Sequence, residues 1–420
     1  MGLAAAYEAA VVSKAEVVLY EKDAAPGGLA RTFEIGGEQW ERYHHFISGN
    51  DEHLLDMARL LGISSEISWR ETKLGYFTGG RVVPFTTAGD LLRFPGLSLI
   101  DKIRFGLSMM ALTRRTLWDA LENISARDWL IRTQGRRAYD KIWAHLMEMK
   151  FGDEVGVIPL SWFWSRSRRR ASNRRLLGDV ERFGAFNKSA ARMAEAFIGE
   201  IKRAGGEFRN STAALKIEKG PGGGIVVDSS IGAGTFDRVI VTTPLPVFIA
   251  MAPSLPADYV KALLSIKYAA IINMVVALEK PLTPYFWLNI SDRDMPFPGV
   301  IEMTHLRPAA GGMSLIYIPN YVYSEHDDLK RTDEELFKRY LPALERIHPG
   351  LKIREYRVFR DKYADPYYSL NYSRIMPPPR TPIEGVFLAN TAQVYPVTRS
   401  LNNSIEWGRR IARVAAENPG

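Results

Sequence analysis

The first 32 residues alternate short apolar runs with polar breaks, and each run has the length and composition of a different element. Residues 2–14, GLAAAYEAAVVSK, are rich in small apolar side chains and predict a helix. Residues 15–23, AEVVLYEKD, predict a buried strand that ends in acidic side chains, and residues 26–32, PGGLART, predict a glycine loop. This order is typical of the second half of a βαβ unit that binds a nucleotide.

Beyond this region the patterning divides the chain into a mainly helical part and two groups of strands. The expected elements are a helix at 51–62, a hairpin around Thr78, Gly79 and Gly80, a long helical section to about 204, strands at 207–219, 225–230, 237–244, 267–279, 298–303 and 312–318, a buried strand with its loop at 385–396 and a helix at 400–417. Ser125 and Asp128 have the spacing of a helix cap. No repeat or low-complexity linker is visible, so interleaved domains are expected.

The spacing between the first helix and the first acid fits a dinucleotide-binding motif. There a strand enters a G-x-G-x-x-G turn, the helix N-terminus faces the pyrophosphate, and an acid about 20 residues on hydrogen-bonds the ribose. Gly2 matches the third glycine and Glu21 the acid. Because the first strand and two glycines do not precede Gly2, we expect the natural chain to begin roughly 10–15 residues upstream. The alternative is a non-catalytic chain that no longer binds the dinucleotide.

Composition restricts the class of protein. The 420 residues are 46% hydrophobic and 24% charged, which fits a folded protein of two or three domains or one interleaved fold. With 55 Lys and Arg against 47 Asp and Glu, the net charge of +8 favours anionic partners. The sequence contains no cysteine, which excludes disulfides, thiolate metal sites and cysteine nucleophiles and fits a reducing cytoplasm.

One apolar stretch raises the question of a membrane. No run reaches the roughly 18 apolar residues that a span needs, and the N-terminus does not have the pattern of a signal peptide. Residues 97–112, LSLIDKIRFGLSMMAL, are apolar but include Lys102 and Arg104, with Arg114 and Arg115 just beyond. A buried amphipathic helix is expected, and peripheral contact with the inner face of a membrane is the alternative.

Several segments resemble, in chain order, the FAD-dependent amine oxidase superfamily: GLAAAYEAA, VVLYEKDAAPGGLART, ERYHHF, the span ending in MKFG, AGGEFRNSTAALKIE and GVFLANTAQVYPVTRSLNNSIEWGRRIA. Within it the chain is most similar to enzymes grouped near protoporphyrinogen oxidase, phytoene and squalene desaturases, and UDP-galactopyranose mutase. The resemblance implies an α/β fold in which a doubly wound, Rossmann-like FAD-binding domain is interleaved with a mixed sheet-plus-helix substrate domain. The expected FAD domain comprises residues 1–50, 205–250 and 380–420, and the substrate domain 51–204 and 251–379.

The resemblance also implies cofactor-binding residues near the N-terminus. Gly2 opens the helix under the FAD pyrophosphate, and Glu21 holds the adenosine ribose. Gly27, Gly28 and Arg31 form a second glycine-rich stretch, where bare backbone approaches the cofactor and the guanidinium meets a phosphate. A simple turn is the alternative for these glycines.

Further implied contacts lie elsewhere along the chain. Ala214 passes the adenine with its backbone. His44 and His45 lie in a loop at the isoalloxazine face, where a His could hydrogen-bond the flavin, steer substrate or carry a proton. Of the two, His45 is the predicted cofactor contact. A His satisfied within a packed loop is the alternative.

At the C-terminal end the family pattern is altered. The family usually shows a strand ending in A-G-D, whereas this chain has Ala389, Asn390 and Thr391, which can hydrogen-bond but bring no charge. Thr391 is expected at the cofactor nonetheless. The resemblance places the N-terminus of the next helix at the flavin, with Asn402, Asn403 and Ser404 near the ring. A plain helix cap is the alternative.

A basic run lies in the middle of the chain, beside Trp162 and Trp164. Its six arginines fall within ten positions: Arg166, Arg168, Arg169, Arg170, Arg174 and Arg175. A solvated loop or helix face is expected, and binding of an anionic lipid or a diphosphate is the alternative. Nucleic acid ranks lower because no nucleic-acid fold motif accompanies the run. No histidine spacing suggests a metal site, and no G-x-S-x-G elbow suggests a hydrolase.

The expected function is an FAD-dependent oxidoreductase that takes a hydride and a proton from a small-molecule substrate, with the chemistry supplied by FAD. No residue is assigned a catalytic role. A large apolar or ring-bearing substrate is favoured by the aromatic residues of the expected substrate domain, namely Trp143, Trp162, Trp164, Tyr317, Tyr321, Tyr323, Tyr367 and Tyr368. A flavoenzyme similar to UDP-galactopyranose mutase, acting on a sugar nucleotide, is the alternative.

Overall fold

The computed structural model describes residues 1–171, 180–397 and 399–417. Its helices are α1 (Gly2–Tyr7), α2 (Glu52–Leu60), α3 (Ala88–Arg93), α4 (Leu99–Thr113), α5 (Ala126–Gln134), α6 (Arg136–Ala138), α7 (Ala144–Phe151), α8 (Leu160–Ala171), α9 (Ala191–Arg203), α10 (Leu245–Met251), α11 (Ala257–Leu264), α12 (Asp333–Ile347) and α13 (Leu401–Ala416). A wider helical turn over Glu8–Val12 continues α1.

The strands of the same residues belong to six sheets. They are β1 (Val18–Tyr20), β2 (Thr32–Ile35), β3 (Glu38–Glu41), β4 (Ile47–Ser48), β5 (Ile67–Thr72), β6 (Leu74–Thr78), β7 (Arg81–Pro84), β8 (Glu181–Phe186), β9 (Glu207–Arg209), β10 (Ala214–Lys219), β11 (Ile225–Ser229), β12 (Gly232–Phe236), β13 (Val239–Val241), β14 (Tyr268–Leu278), β15 (Trp287–Ile290), β16 (Gly299–Glu302), β17 (Ser314–Tyr323), β18 (Ile353–Pro366) and β19 (Val386–Leu388).

Two pairs of parallel strands join distant segments of the chain. β1 pairs with β9, and β13 pairs with β19, so segments far apart in sequence meet. Helix α1 packs between these pairs: a Cβ atom built on Gly2 would lie 3.0 Å from Thr242 Oγ1 and 3.8 Å from Leu19 Cδ1. A Cβ on Gly408 of α13 would come within 2.3 Å of the Met1 carbonyl oxygen. The small residues of α1 therefore follow from its close approach to two strands and a helix.

The largest sheet of the described residues is a seven-stranded mixed sheet, in the order β18-β14-β17-β16-β15-β6-β7. All eleven residues of β14 are buried. A continuous apolar run is expected for a strand that is covered on both faces. The parallel pairs with their helices and this separate mixed sheet confirm the expected α/β fold class. The domain ranges given above stay a prediction.

Most expected elements are confirmed, including the helix that begins at Ala126, where the Ser125 side chain accepts from the Asp128 N–H at 3.3 Å. Two expectations were wrong. The long helical section is interrupted by β8, which pairs with β4 and β5. β18, the longest strand, was not expected because its sequence, IREYRVFRDKYADP, is rich in charged residues. Such charges are typical of an edge strand, and β18 lies at the edge of the sheet.

Helix α4 departs from the expectation of a buried helix. Its inner side is buried at Asp101, Phe105, Ser108 and Leu112. Its other side exposes four large apolar side chains, those of Leu99, Ile100, Ile103 and Leu107. The expectation is therefore wrong for one side of the helix. Among the described residues, no helix combines the length and apolarity needed to cross a membrane.

Candidate functional site

Glu21 directly follows β1, at the carboxyl end of the β1–β9 pair. Its Oε1 accepts a hydrogen bond from the Asp23 N–H at 3.0 Å, and its carbonyl oxygen accepts one from the Thr212 N–H at 2.8 Å. The second bond holds the start of β10, which begins at Ala214, near the Glu21 turn. Ligands of open α/β sheets bind at the carboxyl ends of strands. Gly2 lies at the corresponding end of β13, beside Thr242.

The glycine loop is a tight turn. Gly27 and Gly28 have φ values of +125° and +57°, in the region that favours glycine. Arg31 closes the turn, since its Nε donates to the Gly28 carbonyl oxygen at 3.0 Å and its guanidinium pairs with Asp23. Sequence reasoning did not foresee this carboxylate partner. A phosphate bound by Arg31 would share the guanidinium with Asp23.

The two histidines occupy different surroundings. The His44 ring meets Trp287 edge to face at 5.5 Å, and its Nδ1 is buried without a hydrogen-bond partner among the described residues. Burial, followed by the charges of His45 and Arg399, lowers the pKa of His44 to about 3. The imidazole is therefore neutral at pH 7. This favours a hydrogen-bonding role for His44 over proton transfer near neutrality.

His45 Nδ1 lies 2.8 Å from the Tyr43 carbonyl oxygen, and burial lowers the pKa of His45 as well. Its side chain lines a small cavity together with Glu41, Arg307 and Leu401, the first residue of α13. The structure therefore brings His45 next to the start of the helix that the sequence placed near the flavin ring.

The start of α13 is capped by Ser400, whose side chain accepts from the Asn403 N–H at 3.2 Å. Asn402 Oδ1 accepts from the Leu54 N–H at 3.0 Å, and its Nδ2 donates to Asn403 Oδ1 at 2.9 Å. Ser400 thus has the plain capping role. The expected contact between Asn403 and the cofactor stays a prediction.

The altered A-N-T segment follows β19. The Asn390 side chain accepts from the Ala392 N–H at 3.0 Å and donates to the Thr243 carbonyl oxygen at 3.3 Å. It thereby ties together the ends of β13 and β19. The Thr391 carbonyl oxygen accepts from the Tyr368 hydroxyl at 3.3 Å. Asn390 stands where the family pattern A-G-D has its glycine, and its side-chain amide holds this turn together.

Four charged side chains from different elements converge on one face of the large sheet. Asp365 of β18 is central: its Oδ2 lies 2.8 Å from Lys150 Nζ of α7 and 3.9 Å from an Arg166 nitrogen of α8, and its Oδ1 lies 3.9 Å from Arg399 Nε. We call Lys150, Arg166, Asp365 and Arg399 the cationic cluster. Sequence reasoning missed it, because Lys150 and Asp365 lie 215 residues apart and the four residues follow no motif.

Aromatic rings hold the three cations in place. The Arg166 guanidinium carbon lies 3.9 Å from the centroid of the Trp162 ring, and Lys150 Nζ lies 4.2 Å from that of Tyr321. Arg399 donates to the Tyr321 hydroxyl at 3.0 Å. Cation–π contacts of this kind stabilise a desolvated cation without neutralising its charge.

The cationic cluster has a surplus of positive charge. Burial alone would raise the pKa of Asp365, but Lys150, Arg399 and Arg166 outweigh it and hold that pKa at about 2. Burial lowers the pKa of Lys150 to about 8, against the opposing effect of Asp365. At pH 7 three cations thus share one carboxylate. Among the described residues, three buried atoms of the cluster have no hydrogen-bond partner, namely Nη1 of Arg166, Nη1 of Arg399 and Oδ1 of Asp365.

The arginine run was expected to be solvated, and this is wrong for three of its members. In α8, Arg166 belongs to the cationic cluster, Arg169 contacts Asp51 at 2.7 Å, and Arg170 contacts Glu181 at 3.2 Å. Arg168 is exposed over Trp164. The pattern arises because α8 turns one face toward the interior. Arg174 and Arg175 lie outside the described residues.

Comparison with known families identifies the chain. The family model described as flavin-containing amine oxidoreductase matches residues 2–416. The chain belongs to this family. The resemblance inferred from the sequence is therefore confirmed for nearly the whole length. No match was found among curated protein sequences.

Solved structures share the fold of this amine oxidoreductase family member. A protein from Exiguobacterium sp. 255-15 with the provisional name protoporphyrinogen oxidase has a TM-score of 0.76 at 16% identity, covering 99% of this chain and 96% of its own. Reduced UDP-galactopyranose mutase has a TM-score of 0.76 at 15% identity, with 100% and 94% coverage. A cofactor-binding triple mutant of putrescine oxidase has a TM-score of 0.74 at 15% identity, with 99% and 96% coverage.

For a flavin-containing amine oxidoreductase, the residues at both ends of the expected cofactor site are chemically suitable. Glu21 supplies a carboxylate at a strand end, and Gly28 leaves open space where a Cβ would stand. At the other end, the buried His44 Nδ1 is a polar atom that a bound group can satisfy. Within the described residues, no cluster of three His, Asp or Glu side chains could hold a metal ion.

Proposed function

We propose that the protein is an FAD-dependent oxidoreductase that oxidises or desaturates a large apolar or ring-bearing small molecule. The observation that carries the proposal is the family match, which runs from Gly2 beyond the start of α13 and so includes both ends of the expected cofactor site. The cysteine-free composition supports a reducing cytoplasm as its compartment.

The proposed adenosine and pyrophosphate contacts lie at the strand ends. Glu21 accepts hydrogen bonds from the ribose hydroxyls, and Ala214 faces the adenine with its backbone. Gly2, Gly27 and Gly28 allow close approach of the backbone to the cofactor. Arg31, shared with Asp23, balances phosphate charge.

The proposed contacts at the flavin ring are those of His45, Thr391 and Asn403. Bound FAD supplies acceptance of a hydride equivalent, and the chain positions substrate beside it. The side chain of His45, buried and held by Tyr43, offers a neutral hydrogen-bonding group rather than a charge. The closely packed start of α13 orients Asn403 through Asn402 and Ser400.

The aromatic residues support the apolar part of the proposed substrate. Of those singled out in the sequence, Trp162 and Tyr321 contact cations of the cluster, and the Tyr367 hydroxyl donates to the Lys150 carbonyl oxygen at 3.3 Å. Tyr323, the last residue of β17, is exposed and does not support an apolar pocket at the cluster. A substrate at the cluster would therefore meet aromatic surface and positive charge together.

The surplus charge of the cationic cluster favours one second candidate, a mutase acting on a sugar nucleotide, because a diphosphate would balance it. The two candidates differ in net electron transfer. An oxidoreductase reduces its flavin when substrate is added without oxygen, whereas a mutase leaves the oxidation state of its flavin unchanged after turnover.

The visible absorption spectrum of purified protein tests the proposal, followed by heat release and chromatography of the cofactor. We expect flavin bands and FAD. In the Glu21→Ala variant FAD binding should weaken roughly tenfold or more, because hydrogen bonds to a charged acceptor are lost. The exposed Glu345→Ala variant is the matched control and should bind as the wild type does. Folded protein that neither contains nor binds flavin would favour the non-catalytic alternative and refute the proposal.

A further inference from the structure

We infer that the cationic cluster binds a phosphate or diphosphate group of the substrate, an inference that rests on the proposed function. The cluster contains three cations and one carboxylate, all largely buried. Burying positive charge without compensation is costly, and proteins normally pair such groups. Here the pairing is incomplete within the described residues, since Arg166 and Arg399 each keep a buried nitrogen without a partner.

The geometry suits an oxyanion. Arg166 lies 3.9 Å from Asp365 Oδ2 and Arg399 lies 3.9 Å from Oδ1, and each guanidinium group keeps its buried Nη1 available to donate to another acceptor. Guanidinium groups donate two parallel hydrogen bonds to phosphate or carboxylate oxygens, and an ammonium group adds a compact charge. Lys150 supplies that ammonium group. A ligand with two negative charges would bring the cluster to neutrality.

The position of the cluster connects this group to the reaction. Arg399 lies just before Ser400, the cap of α13, and its charge is among those that lower the pKa of His44. An oxyanion held there would lie beside the loop and the helix start at which the flavin ring is proposed. The same charge disfavours cationic amines such as polyamines as substrates, because they would be repelled by the surplus.

Calorimetric titration of the flavin-loaded protein with pyrophosphate tests this inference. Flavin-loaded protein is needed because bound FAD then occupies the cofactor's pyrophosphate site, so that added pyrophosphate cannot bind there. We expect one binding event, weakened at least about tenfold in Arg166→Gln, since a charge-assisted hydrogen bond is lost. Arg168→Gln, two positions away on the exposed side of α8, is the matched control and should bind normally. Lys150→Met replaces Arg166→Gln if that variant does not retain its flavin.

The outcomes separate the two claims. Protein without flavin refutes the proposed function itself. Flavin-loaded protein that does not bind pyrophosphate, or that binds it equally in Arg166→Gln, refutes the oxyanion site alone. A parallel titration with succinate distinguishes the sources of negative charge, and tighter binding of succinate than of pyrophosphate would overturn the phosphate assignment in favour of a dicarboxylate.

A second inference comes from a different observation, the exposed side of α4. The side chains of Leu99, Ile100, Ile103 and Leu107 are 63%, 69%, 50% and 62% exposed. We call these four residues the α4 face. At about 100° per residue they fall on one side of the helix, as an interfacial helix requires. Contiguous exposed apolar surface of this kind marks a site of interaction.

The charges around the α4 face point to one partner. Between residues 88 and 117 the chain carries five basic side chains and only two acidic ones. Both acids, Asp90 and Asp101, are engaged as helix caps of α3 and α4. Arg93, Arg114 and Arg115 are exposed. We propose that the α4 face docks on an anionic lipid bilayer, with the apolar side chains inserted and the basic ones at the headgroups.

Co-sedimentation with phosphatidylcholine vesicles, with and without phosphatidylglycerol, tests the docking. We expect binding that requires phosphatidylglycerol and falls at least about tenfold when Ile100 and Leu107 are both changed to Glu, because buried apolar area is lost and anionic charge is added. Ile231→Glu and Leu264→Glu are matched controls, since these side chains are 63% and 59% exposed elsewhere on the protein, in the turn between β11 and β12 and on α11. Wild-type protein that does not bind vesicles, or a face variant that binds equally, would overturn the proposal. A dimer in sedimentation velocity that the same variant dissociates would show instead that the face covers a second copy.

Discussion

Two buried carboxylates in this protein are each surrounded by basic side chains, but only one of them is fully paired. Glu8 follows α1, and its two oxygens lie 2.6 Å from Arg409 Nε and 2.6 Å from Arg413 Nε of α13. Asp365 has one close partner, Lys150, and an Oδ1 without a hydrogen bond among the described residues.

The difference separates a structural ion pair from a site. Burial alone would raise the pKa of Glu8, but its bonds to Arg413 and Arg409 lower it, and Arg413 is 55% exposed, so its remaining charge reaches water. The cations around Asp365 are less exposed than Arg413, at 17% for Lys150, 25% for Arg166 and 19% for Arg399. Excess charge that solvent can screen costs little, whereas buried excess charge needs a ligand to balance it. Glu8 thus has the pairing of a structural ion pair, whereas the surplus of buried positive charge at Asp365 fits a binding site.

The largest effect is expected for Asp365→Ala. Removing the carboxylate of the cationic cluster leaves its three cations uncompensated, which should lower the free energy of unfolding by about 3–5 kcal/mol. Urea denaturation measures the loss. Pyrophosphate should stabilise this variant more than it stabilises the wild type, because the ligand then supplies the missing negative charge. Equal stabilisation of the two proteins would contradict an unsaturated site.

A smaller effect is expected for Glu8→Gln. The amide still accepts one hydrogen bond and the arginine side chains can turn to water, so the loss should be about 1–3 kcal/mol. In the same denaturation assay, pyrophosphate should stabilise Glu8→Gln and wild type by the same increment. If pyrophosphate stabilised Glu8→Gln and the wild type by different amounts, Glu8 would be shown to influence the anion site as Asp365 does.

The pH dependence of anion binding sharpens the comparison. Lys150 is faced by Asp365 of β18, Arg166 of α8, Tyr321 of β17 and Arg399, and its pKa lies at about 8 instead of 10.5. Its proton is lost as pH rises through 8, so affinity for sulfate, which does not titrate here, should fall by roughly tenfold between pH 7 and 9. The Lys150→Met variant should lack this step, as titration calorimetry would show. A wild-type profile without the step would contradict the assignment.

The same lowered pKa has a consequence for stability. Because the folded state disfavours the proton on Lys150, this residue lowers the stability of the fold below pH 8. The penalty is relieved between pH 8 and 10.5, where the unfolded chain still binds the proton and the folded chain does not.

The smallest effect is expected for Ser400→Ala, which removes the cap of α13. The loss should be about 1 kcal/mol in thermal or urea unfolding, with sulfate affinity unchanged, because the hydroxyl carries no charge. Ser125→Ala at the start of α5 is a matched cap outside the proposed site. A Ser400→Ala variant of unchanged stability would remove the structural role given to this hydroxyl.

The turn after β1, where the adenosine end of the site is proposed, could be predicted because its signals are local. Gly27 and Gly28 require positive φ, and Glu21 lies a fixed distance from the first helix, so a short stretch of sequence contains the evidence. The Ser125 cap and most strands were predicted for the same reason. Arg31 was assigned by the same local logic, yet its pairing with Asp23 depends on how the turn closes.

The cationic cluster could not be predicted, because convergence of Lys150, Arg166 and Asp365 depends on the register of β18 and the rotation of α8. Because β18 is rich in charged residues, its sequence did not predict a strand. The arginine run likewise did not indicate that Arg166 faces the interior. The exposed side of α4 is similar: its periodicity predicts a helix, but only packing decides how wide a face is covered. Long-range contacts, rather than local pattern, set these features.

The flavin difference spectrum during titration with pyrophosphate tests the central claim most directly, since it requires bound flavin and an anion site beside it at once. We predict a saturable shift of the flavin bands in the wild type and in Arg168→Gln, and its loss in Arg166→Gln. Pyrophosphate that binds calorimetrically without perturbing the flavin, or that shifts the spectrum of Arg166→Gln unchanged, would contradict the account.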